Sequence, residues 1–352
     1  MTAEASRLAK RHRLGQAAVS DGAPQQMAAP APAAVAEAEA VAAAAPSNAQ
    51  PAKKAKQVVM PTPVPPPAIP ADPAAWDNAV LLVDKPKDWT SFDVCGKLRG
   101  TLAALLRKKN REVKVGHAGT LDPMATGLLI VCVGRGTKAV DAFMAMHKEY
   151  SGTLRLGEGT PSYDAETPVE EALPWEHITD EQLLAARDGL VGQIEQLPPM
   201  YSAIQVGGQK LCNAARKGKE IERQPRAVTV DRFDVWRDAA DAQSVHFRVV
   251  CSKGTYIRSL AHDLGRAVNS AAHLTALRRE AIGEYSVGAA WQVADLAAQV
   301  AAQRQQRKEA DAAAAQPGYA GAAAEAAQGA ATAADTAPGS AKQTAAAPDA
   351  AR

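Results

Sequence analysis

Large apolar and aromatic side chains are confined to one part of this chain, and that confinement limits what it can fold into. Among 352 residues, no Phe, Trp or Tyr precedes Trp76, and only Tyr319 follows Trp291. From Ala301 to Arg352 there is no Leu, Ile, Val, Phe, Met or Trp. The hydrophobic fraction of 47% overstates the core material, because much of it is Ala. Only large side chains contribute about 1.5–3 kcal/mol each on burial. A single folded domain is therefore expected over residues 77–300. Residues 1–76, Ala- and Pro-rich, and residues 301–352, Ala-rich, are expected to be disordered extensions, because neither can offset its ordering entropy.

A formal charge of +2 does not by itself select a nucleic-acid partner, so local clusters must do so. Cys95, Cys132, Cys212 and Cys251 show no C-x-x-C spacing, which argues against a zinc site and for reduced thiols. No apolar run is long enough to span a membrane, and the N-terminus lacks a signal-peptide core. Its basic start, A-S-R-L-A-K-R-H-R-L, reads as a transit peptide, favouring an organelle (chloroplast or mitochondrion) over cytoplasm or nucleus. Lys53, Lys54 and Lys56 could alternatively serve as a nuclear signal.

Within the domain, residues 79–86 read as a strand stopped by Pro86. A helix capped by Thr90 or Ser91 follows, with apolar positions at Val94, Leu98, Leu102 and Leu105. The basic run Arg107, Lys108, Lys109, Arg111 and Lys114 is either a solvated helix end or a phosphate-contacting patch. Further helices are expected at 137–146, 181–190 and 210–218, and a strand at 149–156. Residues 228–236 and 245–251 alternate as an antiparallel pair. Leu260, Leu264 and Val268 mark a helix, residues 273–287 close the domain with a turn at Gly283, and a short helix starts at Trp291. Strands and helices mix with hairpin-like pairs, so the fold class is α+β with a mainly antiparallel sheet.

The stretch from Lys114 to Leu129, K-V-G-H-A-G-T-L-D-P-M-A-T-G-L-L, combines His117, several glycines and an Asp122–Pro123 step before an apolar run. Taken alone, Asp-Pro is a helix start, with Asp as the cap and Pro in the first turn. The glycines allow a sharp turn and close approach of a large ligand. No P-loop, no G-x-S-x-G elbow and no metal-ligand spacing occurs. The candidates that remain are Asp122, His117, Tyr150, Tyr256 and Arg258. Were the chain still extended at Tyr256 and Arg258, the two would face one side.

The blocks L-V-D-K-P-K-D-W-T-S (82–91), G-H-A-G-T-L-D-P-M (116–124), K-E-Y (148–150), L-G-E-G-T-P-S-Y-D (156–164), Q-L-P-P-M-Y-S-A (196–203), C-S-K-G-T-Y-I-R (251–258) and H-L-T-A-L-R-R (273–279) occur in this order. Together they resemble the TruB family of pseudouridine synthases, over essentially all of 77–290. The resemblance implies an isomerase that converts a T-loop uridine of tRNA, position 55, to pseudouridine. It implies Asp122 as the catalytic carboxylate, Tyr150 as the stacking face and Arg258 as the partner of Asp122. Tyr256 and Leu277 would line the base pocket, His117 would contact the RNA, and Lys85 and Pro86 would pack near the site. Residues 198–226 match an RNA-gripping insertion. Lys114, Lys148, Arg216, Lys217, Arg223 and Arg226 are then candidate RNA contacts.

No metal or organic cofactor is implied. The expected partner is the tRNA T-arm, engaged by a monomer. Gln205 and Cys212 stand where the family often has Lys and Tyr, and Ala118 where it often has Thr. The chain runs into its Ala-rich tail where many members carry a small β-rich RNA-binding domain. Two rival functions are the same chemistry on organellar rRNA or mRNA, and an RNA-folding chaperone in which modification is incidental.

Overall fold

A computed structural model describes residues 60–315. The expectations for residues 1–59 and 316–352, disorder and targeting among them, lie outside the described residues. The described strands form one large mixed sheet and two short two-stranded pairs. The sheet's main strands are β1 (Pro63–Val64), β2 (Val80–Lys85), β3 (Val115–His117), β4 (Thr126–Val133), β5 (Lys148–Leu156), β6 (Gly192–Gln196), β7 (Arg226–Arg237), β8 (Ser244–Cys251) and β9 (Ala272–Ile282), and the two-residue strands Tyr285–Ser286 and Trp291–Gln292 pair on β9 and β2. Its order is β1-β2-β4-β9-β5-β8-β7-β6, with β3 paired on β4. The helices are α1 (Ser91–Leu106), α2 (Val140–Ala145), α3 (Asp180–Asp188), α4 (Leu211–Ala215), α5 (Ile257–Ala267) and α6 (Val293–Ala314). This is the α+β, mainly antiparallel architecture expected from the sequence.

The sheet has a seam. Its long ladders are antiparallel: six residue pairs join β2 to β4 and eight join β5 to β8. Between them β4 meets β9 in parallel at two pairs only, Thr126 with Arg278 and Gly127 with Arg279. On one side α1 and α6 cover the sheet. They bury Val94, Leu98, Leu102 and Leu105 against Leu296 and Val300 together with Leu81, Val83, Leu129 and Val131. On the other side α3 and α5 cover β5, β7, β8 and β9, and Leu260, Leu264, Phe233, Phe247 and Leu274 share a second core. The spacing of Ile257, Leu260, Ala261 and Leu264 is the helical stripe that puts α5 on this core.

Thr90 caps α1 as expected: its hydroxyl accepts from Asp93 N–H, and the Asp93 carboxylate accepts from Thr90 N–H at 2.8 Å. Four expectations need correction. The folded part begins before residue 77, because β1 pairs with β2 and Trp76 is fully buried. It also runs past residue 300, because α6 continues to Ala314. Val293, Leu296 and Val300 anchor its first turns, and the good helix formers Ala, Gln, Arg, Lys and Glu carry it on. Residues 273–282, expected only to close the domain, form the strand β9 at the seam of the sheet. Finally, Asp122–Pro123 opens no helix: residues 118–125 are an irregular turn that leads directly into β4. Among the described residues, no helix is long and apolar enough to cross a membrane.

Candidate active site

The turn that carries Asp122 is irregular but pinned from several directions. Ser91 Oγ accepts from Leu121 N–H at 2.9 Å and donates to Leu121 O at 3.2 Å. Asp88 N–H donates to Pro123 O at 2.9 Å. Lys85, wholly buried, donates from Nζ to the carbonyls of Pro86, Trp89 and Pro123. Burial brings its pKa down to about 8, against the pull of Asp122 and other nearby carboxylates. Met124 N–H donates to Glu166 Oε1, and Ala125 N–H to Asp122 O. Leu121, Met124 and Ala125 also pack into the second core. A buried turn needs partners for its backbone groups, and these are supplied.

Asp122 faces Arg258 across 3.0 Å, Nε to Oδ2. Arg258 is buried on the first turn of α5. Its remaining donors go to Ser162 O at 3.0 Å and Tyr201 O at 2.8 Å. A second carboxylate, Asp164, lies 3.6 Å from the same Nε. Its Oδ1 accepts from Ser162 Oγ at 2.5 Å and Glu166 N–H at 3.0 Å. The Asp122 side chain remains 34% exposed, so its free edge is open to a ligand. Burial pushes its pKa up, and Arg258 opposes that by stabilising the anion.

Asp122 lies in a cavity of about 880 Å³, whose walls include Tyr150, Tyr256, Arg258 and Leu277. Four segments far apart in sequence thus bring together the five expected pocket residues: the Asp122 turn, β5, the start of α5 and β9. Tyr150 stands on β5, and burial pushes its phenol pKa up. Tyr256 is the extended residue just before α5 and Arg258 already lies in the helix, so the two-apart reasoning from sequence does not apply. Its backbone is held by the Gln196 side chain, which accepts from Tyr256 N–H at 2.7 Å and donates to Tyr256 O at 3.0 Å.

The charged candidates divide. Arg216 and Arg226 reach the cavity wall, and Lys217 is exposed beside them in the insertion. His117 is half-buried on β3, with its ring edge-to-face against Phe92. Lys114 is exposed but lines a separate hollow with Trp76, Lys108 and Arg135. Lys148, expected as an RNA contact, is buried; its ammonium donates to Met144 O at 2.6 Å and Met146 O at 2.5 Å, at the end of α2. Arg223 is likewise occupied, donating to Pro198 O at 3.1 Å and to Glu220 within the insertion.

Sequence reasoning missed Arg279. It is 1% exposed, donates from Nε to Leu128 O at 2.7 Å and from Nη2 to Gly119 O at 3.1 Å, and reaches the cavity beside Tyr150. It thereby ties β9 to the start of the Asp122 turn and to β4, the strand that follows the turn. The signal available was the run Leu277-Arg278-Arg279, in which one arginine faces in. Arg278 instead pairs with Asp84 at 2.8 Å near the surface.

The site is an arginine–carboxylate pair in a tyrosine-walled cavity, carried by a mixed sheet. Residues 107–257 match the TruB family pseudouridylate synthase N-terminal domain, and residues 258–317 match the tRNA pseudouridylate synthase B C-terminal domain. This chain belongs to the TruB family. The second match spans α5, β9 and α6. The chain is 46% identical over 211 residues to the tRNA pseudouridine synthase B of Flavobacterium johnsoniae, covering 60% of this chain and 91% of that one. It is 41% identical over 221 residues to that of Chloroherpeton thalassium, covering 62% and 89%. Among solved structures, an H/ACA RNP bound to a substrate RNA containing 2′-deoxyuridine is similar at 24% identity and a TM-score of 0.45, covering 63% of this chain and 53% of that one.

Proposed function

We propose that this chain isomerises the uridine at position 55 in the T-loop of tRNA to pseudouridine, acting as a monomer on the T-arm. Conversion of a tRNA uridine to pseudouridine is the activity of its TruB relatives, which it matches over most of their length. The reading rests above all on the Asp122–Arg258 pair, 3.0 Å apart with the carboxylate edge open to the cavity.

The reaction breaks the C1′–N1 bond, turns the base and forms a C1′–C5 bond. The C5 proton leaves and N1 gains one, so the product is an isomer. A nucleophilic carboxylate must be ionised, and Arg258 keeps Asp122 so while aiming it. The uridine must leave its stack to reach Asp122, at a cost of a few kcal/mol. Tyr150 offers an aromatic face worth about 1–3 kcal/mol per stacked base. Tyr256 and Leu277 shape the slot, and Arg216, Lys217 and Arg226 meet phosphates at its mouth.

Pseudouridine mapping on an unmodified tRNA transcript tests this, with Asp122→Asn in parallel. Product at the T-loop uridine with wild type alone is expected. Product from Asp122→Asn would overturn the assigned nucleophile. Product at another tRNA position would overturn the target. Product only on rRNA or mRNA would overturn the substrate class. Tight tRNA binding without product on any RNA would favour the chaperone alternative.

A further inference from the structure

Phe92 is 74% exposed, more than any other large hydrophobic side chain among the described residues. An isolated exposed apolar residue usually needs no explanation, but three features set this one apart. The first is rigidity. Phe92 lies in the first turn of α1, between Ser91, whose hydroxyl clamps Leu121 on the catalytic turn, and Asp93, which completes the Thr90 capping box. Its backbone is therefore fixed relative to Asp122.

The second is its neighbour. The Phe92 and His117 rings meet at 5.1 Å and 78°, an edge-to-face pair. His117 Nδ1 is buried without a hydrogen-bond partner, and burial together with Arg279 brings the ring's pKa down. A neutral imidazole is suited to stacking rather than to holding a phosphate. The third is place. His117 leads through Ala118 to Gly119, where the wall of the catalytic cavity begins. The ring pair is thus tied to that wall twice, His117 through Ala118 to Gly119 and Phe92 through Ser91 to Leu121.

We propose that Phe92 is a base-stacking residue that, braced by His117, receives the nucleobase adjacent to the flipped uridine. This deepens the proposed function and rests on it. Flipping one nucleotide takes a stacking face from each of its neighbours, and an exposed aromatic ring tied to the cavity wall replaces one of them. Phe92 touches no reacting atom. Its effect is on RNA binding and on holding the opened loop, not on the chemistry.

The test uses the full chain with Phe92→Ala, Phe92→Leu and Phe92→Trp on an unmodified tRNA transcript. It also uses a T-arm hairpin carrying 2-aminopurine at each neighbour of the target uridine in turn. Phe92→Ala and Phe92→Leu are expected to raise KM about tenfold with kcat and melting temperature unchanged. One 2-aminopurine position should report stacking with wild type and Phe92→Trp and lose that signal with Phe92→Ala. Phe92→Leu keeps an apolar side chain without a π-face, so wild-type KM in that variant would overturn stacking. A fall in melting temperature with Phe92→Ala would also overturn it, by giving Phe92 a folding role. Wild-type product with an unaffected Phe92→Ala sinks this inference alone. No product from wild type on tRNA sinks the proposed function and this inference together.

Discussion

Two irregular segments wall the same cavity, and they are built in opposite ways. The Asp122 turn, residues 118–125, is tied to β2, α1 and β9 through side chains that are themselves buried, Lys85, Ser91 and Arg279, and to Glu166. The insertion, residues 198–226, is tied mainly to itself. Leu211 N–H donates to Ile204 O, Cys212 N–H to Ser202 O, and Arg223 to Pro198 O. Its links outward are few: Arg258 donates to Tyr201 O, and Arg226 pairs with Gln196 where β7 begins. Asp122 thus sits on the segment tied to its surroundings on several sides, and Arg216 and Lys217 sit on the segment tied mainly to itself.

Glycine substitutions break this comparison most sharply. Gly127, at φ +101°, ends the catalytic turn where a Cβ would lie 2.3 Å from Arg279 O, across the short parallel ladder. Gly127→Ala is expected to cost more than about 3 kcal/mol, read by thermal melting. Gly207 sits at φ +58° in the insertion hairpin, with nothing within 4 Å of an added Cβ. Gly207→Ala is expected to cost about 1 kcal/mol. Equal costs would mean that the insertion is as tightly built as the turn.

Lys85→Met comes next. It strips three carbonyls, Pro123 among them, of a buried donor. A loss of about 2–4 kcal/mol in denaturant unfolding is expected, with kcat falling more than KM rises. Unchanged kcat would show that the turn holds its geometry without this tie. The turn should also set the pH profile. As the proposed nucleophile Asp122 would react as the anion, and burial lifts its pKa above the ordinary 3.8. The acid limb of kcat/KM should therefore lie above 3.8, with activity lost as pH falls through it. A limb at or below that value would place Asp122 in a more solvated setting than the cavity floor. The smallest effects belong to the insertion. Arg216→Ala and Lys217→Ala should each raise KM by about 1 kcal/mol or less and flatten the salt dependence, with kcat unchanged. A fall in kcat would join the insertion to the chemistry.

Periodicity revealed the elements that have one wet face and one dry face. The α1 stripe, the α5 stripe and the alternation along β7 and β8 were all legible, because each buries one face and wets the other. Strand β9 was not, because Arg278, Arg279 and Glu280 interrupt its apolar pattern although Arg279 is buried. A buried arginine looks in sequence like a surface one, and only the carbonyls of Leu128 and Gly119 show why it lies inside. The same limit hid the end of α6, where alanines keep the helix going with nothing to bury. At Asp122 the local rule was outvoted: Asp-Pro favours a helix start, but Ser91, Lys85 and Asp88 claim Leu121 and Pro123 first. The cavity residues were recognised through their sequence blocks, not through any pattern that would place four distant segments together.

The two-pair ladder between β4 and β9 gives the site one more property. Asp122 enters the sheet on the β4 side, while Arg258, Tyr150 and Leu277 belong to the elements beyond the seam. The turn's own Leu121 and Met124 reach across and pack with that far side. The 3.0 Å between Asp122 and Arg258 is consequently a gauge of how the two halves of the sheet are set against each other. A probe that reads this one separation, in the free protein and on RNA, reads the alignment of the whole scaffold.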